Sequence, residues 1–290
     1  MPRHPLPHPS PRPVHLRSVH PRPRLPHRSP DRTDALNPDT SSHYLDSTGP
    51  RVLAHRGLAT EAPENTLLAF RNALAAGVTY LETDVHASSD GVAVICHDAD
   101  LSRLASRAVA VGELSFAELA AIDLGAGQHF VSLAEALAAF PTARFNIDVK
   151  DSASVAPTAA AVSAAQATER VLITSFSEKR RRETVRLLPG VASSASSTRF
   201  AIALLAAKLG LFPVVRRALA GFVAVQVPQT AGPLTITTPR VISAMHRAGV
   251  EVHVWTVNEE AEMTALLALG VDGLVTDRAD IAMRVLAAQA

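Results

Sequence analysis

From residue 50 onward the sequence alternates eight times, over about 235 residues, between short β-branched or apolar runs and longer stretches with helical spacing. The strand-like runs are Val52–His55, Tyr80–Val85, Phe145–Val149, Val171–Ser175, Val191–Ala195, Phe222–Val227, Glu251–Thr256 and Gly273–Thr276. The helix-like stretches between them are Glu64–Ala76, Leu133–Phe140, Val155–Thr168, Glu178–Leu188, Ala201–Leu219, Pro239–Ala248, Glu259–Leu269 and Asp280–Ala288. Parallel strands need a crossover of this length, and eight such units can close a sheet on itself. The pattern therefore predicts a parallel (β/α)8 barrel, a TIM barrel, over residues 50–288.

Start and stop signals agree with that reading. Pro63 stands just before Glu64-Asn65-Thr66 and the apolar positions Leu67, Leu68, Phe70 and Leu74. Asn258 before Glu259-Glu260 reads as an N-cap with an acidic first turn, and Gly77, Gly249 and Gly270 follow helical runs as stops. Residues 86–130 do not fit the alternation. They hold an extra strand-like run, Val92–Cys96, and one short helical signal, Ser115–Ile122, opened by a capping-box pattern at Ser115 and Glu118. We read them as a small insertion after the second strand, over the top of the barrel.

The residues before the barrel differ in kind. Up to Pro50 the chain carries twelve of its twenty prolines, six of its twelve histidines and seven arginines, with no hydrophobic period. Residues 1–49 are therefore expected to form a disordered arm, read more simply as an extension or an overlong assigned start than as a metal-binding tract or nucleic-acid arm. Elsewhere 47% apolar residues suffice for a large core, and a formal charge of +1 marks neither a polyanion binder nor a solvating acidic chain. The single cysteine, Cys96, excludes an internal disulfide and a multi-cysteine zinc site, and its apolar surroundings predict a buried thiol. No apolar run reaches the ~18 residues of a membrane span or the form of a secretory signal, so a cytoplasmic protein without stable membrane insertion is expected.

Chemistry-bearing residues gather where the predicted strands end. Residues two apart on a strand share a face, so Glu82 pairs with Asp84, and Asn146 with Asp148 and Lys150. His55 leaves the first strand, and Ser175, Gln226 and Trp255 close others. In a barrel these exits meet at one mouth. Three carboxylates there, Glu82, Asp84 and Asp148, repel one another unless something relieves them: either Glu82 or Asp84 forms a salt bridge with Arg56 or Lys150, or a divalent cation with hard oxygen ligands, Mg²⁺ or Ca²⁺, is bound. His55 and His97 offer a base and an acid near neutral pH, with Asp98 placed to orient His97. Arg56 and Lys150 offer fixed positive charge for phosphate oxygens, and lysine is rare here, three against twenty-five arginines. Trp255, the only tryptophan, is either a core residue or an apolar wall of the mouth. His86, His129, His246 and His253 show no partner in the pattern and are assigned no role. Arg180-Arg181-Arg182 reads as a solvated helix face, so no nucleic-acid partner is expected.

At these residues the chain resembles the glycerophosphodiester phosphodiesterase family. The resemblance rests on His55-Arg56-Gly57, Pro63-Glu64-Asn65-Thr66, Glu82-x-Asp84, Asp90-Gly91, His97-Asp98, Asn146-x-Asp148-x-Lys150, Trp255-Thr256-x-Asn258 and Asp272-Gly273-x-x-Thr276-Asp277. It implies a (β/α)8 barrel with an insertion after strand two, and divalent-metal-dependent hydrolysis of glycerophosphodiesters to an alcohol and sn-glycerol 3-phosphate. It also implies that His55 and His97 are acid and base, that Glu82, Asp84 and Asp148 bind the metal, and that Arg56 and Lys150 contact phosphate. Glu64 and Asn65 are expected to support that site from behind. Two departures stand out: Asp148 occupies a position where the family often has glutamate, and Ser88-Ser89 precede Asp90-Gly91 where it often has Thr-x.

The leading expectation is a phosphodiesterase in which a glycerol hydroxyl attacks phosphorus before water completes hydrolysis. Lysophospholipid or phosphoinositide substrates form an alternative, favouring Leu204, Leu205, Leu209, Leu211 and Phe212 as a lipid-contacting rim, although packing of the fifth helix accounts for them more simply. An inactive barrel that only binds a phosphodiester is the third reading, opposed by the retained histidines and carboxylates. Head group, native metal and oligomeric state are not written in the sequence.

Overall fold

Eight parallel strands close on themselves in this computed structural model, which describes residues 43–46 and 49–289. They are β1 (Arg51–His55), β2 (Tyr80–Ala87), β3 (Arg144–Val149), β4 (Val171–Thr174), β5 (Ala192–Ala195), β6 (Ala224–Pro228), β7 (Glu251–Trp255) and β8 (Gly273–Thr276). Each pairs with the next, and β1 pairs with both β2 and β8, so no edge is left among them. The helices that follow them in turn are α1 (Leu67–Ala75), α2 (Leu133–Ala139), α3 (Val155–Ala164), α4 (Glu178–Leu187), α5 (Ser197–Leu209), α6 (Pro239–Arg247), α7 (Glu260–Ala268) and α8 (Ala279–Gln289). The expected (β/α)8 barrel is the observed fold.

Strand alternation divides the core in two. Outward residues such as Val52, Ala54, Leu81, Phe145, Ile147 and Ile173 are buried against the helices in one large apolar layer. Leu53, Tyr80, Leu172, Ala192, Ala224 and Val275 form a smaller cluster, and Tyr44 completes it. His43–Leu45 is a 3-10 turn within the stretch expected to be disordered, and its Tyr44 is fully buried, edge-on to Tyr80 at 5.3 Å. The Arg51 guanidinium donates to the Leu45 carbonyl at 2.7 Å and pairs with Glu251 at 3.0 Å, which anchors the turn. Residues 43–45 thus pack with the barrel, inside the stretch expected to be a disordered arm. A single aromatic among prolines and histidines carries no periodicity, so the sequence pattern could not reveal it. Residues 1–42 lie outside the described part.

Other boundaries moved for local reasons. α1 starts at Leu67 because the Thr66 hydroxyl accepts the Ala69 N–H, leaving Glu64 and Asn65 outside the helix. The single helix expected over Ala201–Leu219 begins earlier and is two, α5 and Phe212–Ala218, broken at Gly210, whose φ of +76° suits the left-handed C-terminal cap. Asn258 does not cap α7; Glu259 holds that position and Asn258 turns to β8 instead. The insertion after β2 is confirmed. Ala93–Ile95 pairs antiparallel with the end of β2, and Val94, Cys96, Leu101, Val111, Leu119, Ile122 and Phe130 form its own small core. The Ser115–Glu118 capping box is formed, and a second one at Ser132 and Glu135 opens α2.

Replacing Tyr44 with alanine removes an aromatic plug from the barrel interior. The expected loss is about 3 kcal/mol in urea denaturation, the scale of a large aromatic-to-alanine change in a core. A loss below about 1 kcal/mol would show that the turn does not close this end.

Candidate active site

Register places the predicted residues at one mouth. His55 pairs with Glu82, Glu82 with Asn146, and Asp84 with Asp148. Together with Arg56, His97, Lys150 and Trp255 they line a cavity of about 480 Å³ at the strand ends. Phe176, Phe200, Leu204 and Ile236 add apolar side chains to the lining. Trp255 is half-buried and meets the Phe176 ring edge-on at 6.1 Å, so it is a wall of the mouth rather than a core residue.

Each histidine is backed by a carboxylate. His97 Nδ1 lies 2.7 Å from Asp98 Oδ1, as expected, and the other Asp98 oxygen accepts Arg103 Nε at 2.6 Å. Burial opposes the Asp98 charge, yet the His97 and Arg103 bonds outweigh it and hold the carboxyl below its usual range. His55 Nδ1 lies 2.6 Å from Asp277 Oδ1, a partner that the sequence reading quoted in a motif but gave no role. Asp277 is fixed in turn by Asn258, whose amide donates to Oδ2 at 2.8 Å and whose carbonyl accepts the Asp277 N–H. Barrel closure explains the pairing: Thr276 ends β8, and β8 is the neighbour of β1. Burial disfavours charge on His55, but Glu82 at 4.0 Å and Asp277 prevail, and its pKa is raised.

His86, left without a role in the sequence reading, is nearly buried behind the site. Its Nδ1 meets Asp151 at 2.7 Å and its Nε2 lies 3.2 Å from the His97 carbonyl, so it ties the end of β2 to the histidine loop. Its alternation with Glu82 and Asp84 was the available signal. His129, His246 and His253 meet the Ile122 carbonyl, Asp272 and Glu251 respectively, away from the cavity. Cys96 is buried, which pushes its thiol up to about 12 and leaves it uncharged at neutral pH.

The carboxylates and cations form one network. Lys150 Nζ bridges Asp84 Oδ1 at 2.8 Å and Asp148 Oδ2 at 2.7 Å. Arg56 reaches Glu64 at 3.0 Å and Asp84 at 3.3 Å, and Glu64 also receives both ends of Arg103. Asn65, held at φ +57°, donates to Asp84 and accepts from Thr83. Arg56 and Lys150, expected to contact phosphate, thus face the cavity with carboxylate partners. Gly57 permits the turn after them: its φ is +85°, and a Cβ there would stand 2.6 Å from the Ala69 carbonyl carbon.

Glu82 is left over. It accepts the Arg56 backbone N–H at 3.1 Å and touches no arginine or lysine side chain. Burial first, then Asp84 and Asp148, push its pKa up to about 8. Burial likewise raises Asp148 despite Lys150, and its Oδ1 is buried without a hydrogen-bond partner. Among the described residues no trio of His, Cys, Asp and Glu stands at metal-ligand spacing, since the Lys150 ammonium lies between Asp84 and Asp148. The donor chemistry nonetheless fits a hard divalent cation: buried oxygens, excess negative charge and an unpartnered oxygen.

The glycerophosphoryl diester phosphodiesterase family model matches residues 55–281. A probable glycerophosphodiester phosphodiesterase 2 of Mycobacterium tuberculosis is 40% identical over 248 residues, covering 85% of this chain and 94% of the relative. A lysophospholipase D of Rattus norvegicus is 28% identical, covering 78% and 83%. In fold, the chain superposes with a TM-score of 0.71 on a putative glycerophosphoryl diester phosphodiesterase from Silicibacter pomeroyi, at 24% identity and covering 86% and 96%. It superposes at 0.67 on an Oleispira antarctica phosphodiesterase in complex with the product sn-glycerol-3-phosphate, at 22% identity and covering 82% and 97%. With its barrel, its insertion and this match in hand, the chain belongs to the glycerophosphoryl diester phosphodiesterase family.

Proposed function

We propose that the chain hydrolyses glycerophosphodiesters to an alcohol and sn-glycerol 3-phosphate. The observation that carries this reading is the pair of carboxylate-backed histidines, His55–Asp277 and His97–Asp98, on one cavity that also holds Arg56, Lys150 and three carboxylates. The carboxylates engage Nδ1 of each ring, which leaves both Nε2 atoms for substrate. One takes the proton of the attacking hydroxyl and the other returns a proton to the departing oxygen, the balance that phosphodiester cleavage needs. Arg56 and Lys150 present their remaining N–H groups to phosphate oxygens. Trp255 and Phe176 wall the organic part of the substrate and exclude water from that side.

Mg²⁺ or Ca²⁺ would be held by Glu82, Asp84 and Asp148, and when bound it supplies Lewis-acid polarisation of a phosphoryl oxygen. The Mycobacterium tuberculosis relative supports the substrate class, and the product-bound Oleispira antarctica enzyme supports the glycerol phosphate end. An apolar wall of Phe200, Leu204 and Ile236, with the lysophospholipase D relative, favours lysophospholipids as further substrates.

Release of glycerol 3-phosphate from glycerophosphocholine, with Mg²⁺, Ca²⁺ or chelator, tests the reading directly. Folded protein that releases none under any metal condition would sink it. His55→Ala and His97→Ala should each lower turnover by about 10²-fold or more while the melting temperature stays near wild type. Full rate in either variant would remove that residue from the pair.

The unbalanced carboxylates give a pH signature. Glu82 is raised from about 4.5 to about 8, so between those values the folded state keeps a proton that the unfolded chain has released. Its stabilising contribution is complete below the lower value and is lost as pH climbs toward the upper one. His55, also raised, adds the same sign above its ordinary value of 6.5. Asp151 and Glu178, held at about 2, act oppositely, but only as the solution is acidified. Metal-free protein should therefore melt lower at about pH 8 than at about pH 5. Glu82→Gln should flatten most of that fall, and Mg²⁺ or Ca²⁺ should raise the melting point mainly at the alkaline end. An equal fall in wild type and variant would discard the assignment.

A further inference from the structure

Residues 184–250 contain no aspartate or glutamate, yet they carry seven arginines and lysines in a chain whose net charge is only +1. The same segment supplies seven of the nine large apolar side chains that the described residues expose. Four of them, Ile202, Leu205, Leu209 and Val214, stand on α5 and the helix after it, Leu211 lies between the two, and Leu205 and Leu209 are 62% and 63% exposed. Packing of the fifth helix was the expected reason for this apolar run. It holds for Leu204 and Phe212, which pack against the barrel's apolar layer, and fails for Leu205, Leu209 and Leu211, which are exposed.

From Phe200 to Leu209, helix α5 carries apolar side chains on three faces, with Lys208 as the one charge. Ala203, Ala206 and Ala207 face the barrel, Phe200, Ala201 and Leu204 face the cavity, and Ile202, Leu205 and Leu209 face solvent. A globular surface helix keeps that last face polar. Lys208, Arg216 and Arg217 flank the apolar stripe, with Leu234 of the loop after β6 exposed as well.

We propose that α5 and the helix Phe212–Ala218 dock the enzyme peripherally on an anionic lipid bilayer, with the mouth of the cavity beside the contact. Leucines set among basic residues suit the headgroup–acyl boundary, where apolar side chains sink and cations stay with the lipid phosphates. The alternatives fit less well. A second copy of this face would oppose like charges across a two-fold axis. Nucleic acid would match the charge but not a stripe of aliphatic side chains. No helix among the described residues is long and apolar enough to span a membrane, so the contact is interfacial.

Co-sedimentation of the full chain with phosphatidylglycerol–phosphatidylcholine vesicles tests the surface without turnover, so it stands apart from the hydrolytic reading. Wild type should bind these vesicles, bind pure phosphatidylcholine weakly, and release as salt rises. The double variant Leu205→Asp, Leu209→Asp should bind at least about tenfold more weakly, because it withdraws two leucines from the lipid contact and adds two negative charges. Its melting temperature and its rate on soluble glycerophosphocholine should remain near wild type. The substitutions leave the basic N-terminal residues in place, so binding through those residues would persist in the variant. Equal binding by wild type and variant, or none by wild type, would overturn the proposal. So would sedimentation velocity finding a wild-type dimer that the double variant dissociates.

Discussion

β1 is hydrogen-bonded to both β2 and β8, and the site depends on that closure. Without it His55 would sit at the edge of an open sheet, more than two hundred residues from Asp277 in sequence and with nothing to bring them together. Closed, the strands set His55 beside Glu82 on one flank and within 2.6 Å of Asp277 on the other. Tyr44 reinforces the closure from inside, packing on Leu53 and Val275 of the two strands that meet at the seam. The candidate site and the N-terminal turn thus share one structural cause.

Closure also concentrates charge. Asp84 and Asp148 face each other across β2 and β3, and Lys150 is drawn between them. Arg56 is shared between Asp84 and Glu64, and Glu64 is shared again with Arg103 of the insertion. Every cation of the group is thereby spoken for, and Glu82 remains with a backbone N–H and a histidine. Taking one carboxylate out of this network leaves a buried cation short of a partner, which costs more than an exposed ion pair is worth. The insertion is tied in through Arg103, since its guanidinium links Asp98, behind His97, to Glu64, behind Arg56.

Strand count and strand exits were legible because a period of two against one of 3.6 is written in every crossover, and because chemistry accumulates at strand ends. Contacts that depend on closure were harder to see. Asp277 follows β8 as visibly as His55 ends β1, but their adjacency appears only once the last strand is laid beside the first. Asn258 has the composition of a helix cap, and nothing local distinguishes that from its bonds to Thr276 and Asp277. Gly210 was hidden in an apolar run that reads as one continuous helix. Lys150 shows the limit of residue type: a lysine at a strand exit suggests an anion, and the anions it meets include two carboxylates of the site itself.

The cavity is divided along the same seam that divides the sequence. Its ionisable lining, His55, Arg56, Glu82, Asp84, His97, Asp148 and Lys150, comes from β1 to β3 and the insertion. Residues 184–250 line the opposite side with alanines, serine, aromatic and aliphatic side chains and Gln226, and contribute no charge to it. A barrel that placed carboxylates all round its mouth would raise the cost of burying each one, as Glu82 already shows with only two neighbours. Keeping acids out of one half confines that cost to the three strands where the histidines stand. It also leaves a neutral wall against which the uncharged part of a phosphodiester can lie, whichever head group it carries. The separation is thus a condition for the site's electrostatics, and the exposed apolar stripe on α5 is its outward continuation.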